Sequence, residues 1–270
     1  MNKKYDLGII GGGNMATAIL NGIITSGKLM KPERIIISDI DKSKLSDHAK
    51  LGINTTDNNN EVFDNSEFIL FAIKPQIFHI IKESLKGIRK DQHIISIMAG
   101  ISIDTIKSVL TDSVPICRVM PNTPCMVNAG MSVLCYDKYN SKSKLFVDSI
   151  FQSIGEIAHM SEEKFDAVTS ISGSGPAYVY LFIDSLVKGG IDGGLSEEDS
   201  RKLAVTTFIG ASKMVQINDK KPINDLIDAV CSKGGTTIEA INVYRDNKLP
   251  ELIIKGVKAC RNRSKELSGK

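Results

Sequence analysis

The chain has 270 residues, of which 42% are hydrophobic and 24% are charged, and its formal net charge is +3. This composition is typical of a globular protein with a hydrophobic core, and the length suits one large domain or two ordinary ones. The small net charge does not indicate a nucleic-acid partner. The most apolar segment, residues 177–187, is too short to cross a bilayer, so no membrane association is expected.

The five cysteines form no C-x-x-C pair, and the four histidines show no close ligand spacing. We therefore expect neither a disulfide framework nor a metal site. Residues 1–4 lead directly into the first predicted strand, which leaves no room for the apolar core of a signal peptide. A cytoplasmic protein is expected.

A glycine cluster follows the first apolar run of the chain, residues 7–10, and leads directly into helical periodicity. Gly11, Gly13 and Ala16 match G-x-G-x-x-[G/A], the strand-turn-helix fingerprint of dinucleotide binding. In this motif the first glycine allows a tight turn, the second lets the backbone approach a pyrophosphate, and the third small residue lets helix pack on strand. A purely structural glycine turn is the alternative.

Continuous apolar strands alternate with helices through the first 160 residues, which predicts a parallel sheet covered on both faces. Further strands are predicted at 34–38, 68–73, 93–97 and 116–120, and two more at 131–136 and 157–160 around a helix at 142–154. Ligands of such sheets bind beyond the carboxyl ends of the strands. This rule selects the turns at 11–14, 38–41, 72–75 and 98–100.

Strand patterns end near residue 162, and long helical patterns follow at 176–188, 196–215, 223–230, 236–245 and 251–267. We therefore predict an α/β fold, with a Rossmann-type doubly wound parallel sheet in residues 1–161 and an all-α domain in residues 162–270.

Asp39 ends the second predicted strand, 28 residues after Gly11. A carboxylate at this position usually accepts a hydrogen bond from the 2′-hydroxyl of the adenosine ribose and repels a 2′-phosphate, which favours NADH over NADPH. Alternatively, Asp39 caps the following helix together with Asp41, and Lys42 or Lys44 neutralises a phosphate.

Two glycine- and serine-rich turns in the helical half, residues 172–177 and 232–237, each precede a helix. Hydroxyls and free amides at a helix N-terminus favour an anion such as a substrate carboxylate, although plain helix capping explains the same spacing. No obvious lysine or histidine general base accompanies them, because the helical lysines have solvated neighbours. Reduction of a protonated imine needs only a hydride and an anchored carboxylate, and fits this pattern better than oxidation of an alcohol.

Taken together, these stretches resemble the Δ1-pyrroline-5-carboxylate reductase family over essentially the whole chain. The similar segments are IGGGNMA at 10–16, AIKP at 72–75, SIMAG at 96–100, RVMPNTP at 118–124, SGSGPAY at 172–178 and GGTTIEA at 234–240.

The resemblance implies hydride transfer from NADPH or NADH to pyrroline-5-carboxylate, the last step of proline biosynthesis. It implies a helical domain that interlocks with that of a second copy in a homodimer, and dimers that assemble into decamers in some members. It further implies that the dinucleotide lies on the first domain and contacts Gly11, Gly13, Asn14, Met15, Ser38, Asp39, Asn59, Ala72, Ile73, Lys74, Pro75, Ala99 and Gly100.

By the same resemblance, Ser232 and the amides of Gly234, Gly235 and Thr236 hold the substrate carboxylate, and Thr237 acts catalytically by hydrogen bonding the ring nitrogen. Two residues depart from the family pattern. Lys233 stands at a position where the family commonly has proline. Asp39 stands at a position where many members carry residues that tolerate the 2′-phosphate of NADPH. The alternatives are a β-hydroxyacid dehydrogenase of similar layout, which needs a helical-domain lysine as its base, and a non-catalytic dinucleotide sensor.

Overall fold

The computed structural model describes residues 4–82, 84–110 and 113–267. The chain divides into two units, Met1–Gly173 together with Arg261–Lys270, and Ser174–Cys260. The domain boundary proposed from the sequence, between residues 161 and 162, lies within the first unit.

The first unit contains a sheet with helices on both faces. Its elements in chain order are β1 (Tyr5–Ile10), α1 (Asn14–Ser26), β2 (Ile35–Ser38), α2 (Lys42–Ala49), β3 (Asn54–Thr56), α3 (Asn59–Asn65), β4 (Ser66–Phe71), α4 (Pro75–Ile81), β5 (His93–Ser96), α5 (Ile103–Lys107), β6 (Ile116–Met120), β7 (Gly130–Asp137), α6 (Ser141–Gln152) and β8 (Gly155–His159). A short helix α7 (Phe165–Val168) and a π-helical turn (Thr169–Gly173) follow.

Within the described residues the strand order is β3-β2-β1-β4-β5-β6-β7-β8, and the first six positions have the doubly wound order of dinucleotide-binding sheets. Leu7 of β1 pairs in parallel with Ile35 on one side and Phe68 on the other. The Rossmann-type fold predicted from the sequence is confirmed.

The pair β6 and β7 is antiparallel, with Val119 opposite Leu134, whereas the sequence predicted parallel strands throughout. The reason is the connection, which holds only a 3₁₀ turn at Thr123–Val127. A parallel return needs a crossover of a dozen or more residues, and this link is too short for one.

Alternation along the strands supplies apolar side chains to both faces of the sheet. In β4, Phe68 and Leu70 join a core cluster with α1 and α6, while Ile69 and Phe71 join a second cluster with α3, α4 and α5. Burial on both faces explains why the strand reads as a continuous apolar run. The strand β3 escaped prediction because its three residues, Asn-Thr-Thr, are polar and only half-buried.

The second unit is helical, as the sequence predicted. Its helices are α8 (Gly175–Asp192), α9 (Glu197–Ile217), α10 (Ile223–Val230) and α11 (Thr236–Asp246), and α12 (Leu249–Leu267) begins in it. Ala204 is the only buried apolar residue among its described residues, and many large apolar side chains, including Leu181 and Ile217, are exposed. No helix in the described part of the chain is long and apolar enough to span a bilayer.

A buried ion pair fastens the segment after β8 to the sheet. The Arg118 side chain on β6 is 5% exposed and donates to Glu162 Oε1 at 2.7 Å. The Arg118 guanidinium also lies 4.7 Å from the centroid of the Phe165 ring. Glu162 Oε1 accepts a second hydrogen bond, from the Ile103 amide at the start of α5, at 2.8 Å. One carboxylate therefore ties together β6, α5 and the chain that leads into α7.

We expect Glu162→Ala to lower the free energy of unfolding by about 3 kcal/mol, because it leaves the buried Arg118 charge without its partner. The neighbouring Glu163, whose contact is with the exposed Ser161 hydroxyl, provides the control. Glu163→Ala should change stability by less than about 0.5 kcal/mol. Urea unfolding followed by circular dichroism at one fixed protein concentration measures both, and equal losses would contradict the role of the ion pair.

Candidate active site

The glycine loop joins β1 to α1, and its first residue must be glycine. Gly11 has a φ of +98°, and its amide donates to Ser38 O at 2.7 Å. A Cβ added there would lie 2.7 Å from Ala72 O. Both the backbone conformation and the lack of space therefore exclude a side chain, as expected of a tight turn beside neighbouring strands.

Gly13 is the N-cap of α1, and its surroundings are open. A Cβ placed on it would meet no described atom within 4 Å, and no described side chain caps this end of the helix. The first-turn amides of α1 are therefore available to an external acceptor, and the helix dipole favours an anion. This open, uncapped terminus fits the pyrophosphate of a dinucleotide.

Asp39 supports the loop from the end of β2. Its Oδ2 accepts from the Gly12 amide at 2.7 Å, its Oδ1 accepts from the Asp41 amide at 2.8 Å, and Lys44 Nζ lies 3.6 Å from Oδ2. Asp41, not Asp39, caps α2, accepting from Ser43 at 2.9 Å. Hydrogen bonds from the Ser43 hydroxyl and amide lower the pKa of Asp41.

A cleft of about 370 Å³ opens along the glycine loop and the carboxyl ends of β1, β2 and β4. Eight of the predicted cofactor residues line it: Gly11, Gly13, Ser38, Asp39, Asn59, Ala72, Ile73 and Lys74. The Ser38 hydroxyl donates to Asn59 Oδ1 at 2.7 Å, which joins the end of β2 to the start of α3. Residues far apart in the sequence thus converge where the strand-end rule places a ligand.

The other predicted cofactor residues lie at turns of the same unit. Asn14 and Met15 begin α1, and Met15 packs on the core beside it. Pro75 is the first residue of α4. Ala99 is exposed in the turn after β5, and Gly100 in that turn has a φ of +76°.

Four apolar residues of the cleft were not among the predicted cofactor residues: Ile10, Ile40, Ile77 and Ile81. Ile40 is 94% exposed, more than any other large apolar side chain among the described residues. Such side chains suit the flat face of a nucleotide base. In the sequence, the isolated isoleucine between Asp39 and Asp41 is the signal from which Ile40 could have been selected.

The predicted carboxylate turn lies in the second unit, between α10 and α11. The Gly235 amide donates to Ser232 O at 3.0 Å, which closes a tight turn, and Gly234 has a φ of +71°. Gly235 is the N-cap of α11, and among the described residues no side chain caps that terminus. As at α1, the amides at the start of α11 are therefore available to an anion, here with the Ser232 hydroxyl close to Gly235.

Thr237 lies on the first turn of α11, at an apolar groove between α9, α10 and α11. The groove has a volume of about 410 Å³, and Met214, Ile223 and Val230 are among its other lining residues. Thr237 thus places one hydroxyl beside the open helix terminus and next to an apolar surface.

The other predicted anion turn is engaged with its own neighbours. Asn122 Nδ2 lies 3.3 Å from both the carbonyl oxygen and the hydroxyl of Ser172. A Cβ on Gly173 would lie 2.5 Å from Met120 Cε. Pro176 is the second residue of α8. These contacts support a structural role for residues 172–173.

A doubly wound sheet with an open glycine loop, together with a helical unit that carries a second open helix terminus, defines a dinucleotide-dependent oxidoreductase. The family model described as pyrroline-5-carboxylate reductase dimerisation matches residues 162–267, and that described as coenzyme F420-dependent NADP oxidoreductase matches residues 6–100. The helical half therefore matches a region named for homo-oligomer formation.

Full-length relatives agree with these matches. The chain is 37% identical to the pyrroline-5-carboxylate reductase of Synechocystis sp. over 99% of its length and 100% of the relative, and 34% identical to that of Escherichia coli over 99% of each. The structure of the reductase from Coxiella burnetii matches with a TM-score of 0.89 at 34% identity, covering 98% of this chain and 99% of that one.

The pyrroline carboxylate reductase of Plasmodium falciparum, solved with NADP bound, also gives a TM-score of 0.89, at 32% identity over 99% of this chain and 100% of that one. The chain belongs to the pyrroline-5-carboxylate reductase family. The family expected from the sequence motifs is confirmed.

We expect Gly13→Ala to weaken NAD(P)H binding about tenfold while the protein keeps its fold, because the added methyl group meets only the space assigned to the pyrophosphate. Gly87→Ala, at a glycine whose added Cβ likewise has no described neighbour within 4 Å, is the matched control. Titration of cofactor fluorescence measures the affinity, and a melting curve monitors the fold. Unchanged affinity in Gly13→Ala would contradict the pyrophosphate assignment.

Proposed function

We propose that this protein reduces Δ1-pyrroline-5-carboxylate to L-proline with NAD(P)H, the last step of proline biosynthesis. Family membership and the full-length relatives support this activity. The observation that carries the assignment of the site is the pair of glycine-led, uncapped helix termini, at α1 and α11. One suits a pyrophosphate and the other suits a carboxylate, which are the anionic parts of the two reactants.

The dinucleotide occupies the cleft of the first unit. Its pyrophosphate would be held by Gly11, Gly13, Asn14 and Met15. Its adenosine would be held by Ser38, Asp39 and Asn59. Its nicotinamide would lie against the turns at 72–75 and 99–100. When bound, NAD(P)H supplies the hydride. The missing side chains at Gly11 and Gly13, and the open amides of α1, are the features that fit this cofactor.

The turn at 232–237 binds the substrate. The Ser232 hydroxyl and the amides of Gly234, Gly235 and Thr236 hold the carboxylate, and the Thr237 hydroxyl hydrogen bonds the ring nitrogen. The reactive substrate is the protonated imine. Its carbon accepts the hydride, the C=N π electrons become the nitrogen lone pair, and proline forms with no further general acid. Thr237 orients the nitrogen as the ring changes from planar to tetrahedral.

We further infer a homodimer formed by the helical half, its assembly into decamers, and a cytoplasmic location. All five cysteines are free in the structure, which suits a reducing compartment. Burial raises the pKa of the Cys117 and Cys125 thiols, so both stay protonated and unreactive near neutral pH.

A steady-state assay with pyrroline-5-carboxylate, run in parallel with NADH and NADPH, tests the activity. Oxidation of β-hydroxyacids with NAD(P)⁺ serves as the comparison reaction. That reaction needs a basic residue near the substrate hydroxyl. Lys188, one candidate on the helices, forms an ion pair with Asp184, with 2.6 Å between Nζ and Oδ2. Turnover of the hydroxyacid without turnover of the imine would overturn the proposal.

We expect Thr237→Ala to raise the KM for pyrroline-5-carboxylate or lower kcat, with a combined loss in kcat/KM of about tenfold or more, because a hydrogen bond to the ring nitrogen is lost. NAD(P)H affinity should stay within about twofold of the unsubstituted protein, because the cofactor cleft lies in the other unit.

Thr236→Ala is the matched control. It removes the neighbouring hydroxyl and keeps the backbone amide assigned to the carboxylate, so its kcat/KM should change much less. Equal losses in the two variants, or parallel loss of cofactor affinity in Thr237→Ala, would count against this placement of the substrate.

A further inference from the structure

Two side chains hold the two peptide groups that meet at Gly12, the middle of the glycine loop. The Gly12 amide donates to Asp39 Oδ2 at 2.7 Å, and the Gly12 carbonyl oxygen lies 3.4 Å from His48 Nε2 on α2. We propose that Asp39 and His48 are positioning residues that keep the loop in its pyrophosphate-binding shape, and that Asp39 therefore does not select NADH against NADPH. This inference rests on the proposed NAD(P)H site.

His48 is packed against the loop and not left to solvent. It is 3% exposed, and a Cβ on Gly12 would lie 3.1 Å from its Nε2 and 3.3 Å from Asp39 Oδ2. A carbonyl oxygen only accepts hydrogen bonds, so the Nε2 atom that faces it carries the proton. The contact is long, but it gives a buried imidazole a partner, which buried polar groups require.

Asp39 holds the peptide group between Gly11 and Gly12 through its N–H, and His48 contacts the peptide group between Gly12 and Gly13 at its carbonyl oxygen. The Gly12 carbonyl and the Gly13 amide lie in the same planar peptide group, so a rotation of that group would turn the Gly13 amide with it. The Gly13 amide lies at the open terminus of α1, where the pyrophosphate is proposed to bind. Asp39 and His48 thus act on the cofactor through the backbone.

The contacts of Asp39 differ from those that a ribose-selecting acid needs. Such an acid keeps an accessible, uncompensated carboxylate for the 2′-hydroxyl. Here the Asp39 side chain is 10% exposed, both oxygens already accept backbone amides, and the Lys44 ammonium lies 3.6 Å away. The Lys44 side chain is 45% exposed and lines the cleft. The 2′-phosphate of NADPH would therefore face the Lys44 ammonium as well as the Asp39 carboxylate.

The test compares substitutions that keep or remove each contact. His48→Leu removes the donor, whereas His48→Gln keeps an N–H. Asp39→Ala removes both acceptors, whereas Asp39→Asn keeps one acceptor in the same volume. Asp47→Asn, on the exposed side of the same helix, is the control. Cofactor fluorescence gives the Kd for NADH and for NADPH, and kcat with pyrroline-5-carboxylate and a melting curve accompany each variant.

We expect His48→Leu and Asp39→Ala to raise the Kd for both cofactors by about three- to tenfold, the effect of a lost hydrogen bond, with the NADH-to-NADPH ratio unchanged within about twofold. His48→Gln and Asp39→Asn should recover part of the affinity, and Asp47→Asn should match the unsubstituted protein. A role in stability alone would lower the melting temperature without this rescue of Kd.

Two results would overturn the inference while leaving the proposed function intact. One is unchanged affinity for both cofactors in His48→Leu. The other is a shift of about tenfold or more toward NADPH in Asp39→Asn or Asp39→Ala, which would make Asp39 a selecting residue. Failure of the unsubstituted protein to bind either cofactor would overturn the proposed function, and the inference with it.

Discussion

The open amides at the start of α1 are the feature on which the first unit depends. A helix terminus is a useful anion site only if nothing in the protein already satisfies it, and here glycine at the N-cap leaves it bare. The loop must nevertheless be rigid without ligand. Its contacts to Ser38 O, Asp39 and His48 supply that rigidity from behind, so the side facing the cleft stays free.

Topology then brings the rest of the cleft to this terminus. Because β1, β2 and β4 are adjacent and parallel, their carboxyl ends meet at one edge, and the turns that follow them converge although they are far apart in the sequence. Apolar faces on both sides of the sheet hold these strands in register. The same order explains why Ala72 packs directly against Gly11.

The sequence predicted the doubly wound sheet, the glycine loop, the helical half and most of the residues that line the cleft beside that loop. These succeed because strand and helix periodicity and glycine turns are local signals. It did not predict the antiparallel β7, which depends on the length of a connection, or the roles of Ile40 and His48. Both residues act through neighbours that only the fold supplies. The isolated position of Ile40 between two acids is a weak local signal, and His48 has none.

The second unit links the proposed substrate turn to assembly. Among its described residues a single apolar side chain, Ala204, is buried, so its helices do not form a core of their own in one chain. Ile223 and Val230 of α10 are exposed in the groove that also contains Thr237, and α10 leads directly into the 232–235 turn. Covering this groove by a second copy would remove apolar area from water and at the same time order the turn. If the 232–237 turn binds the substrate as proposed, dimerisation and substrate binding are expected to stabilise the same few residues.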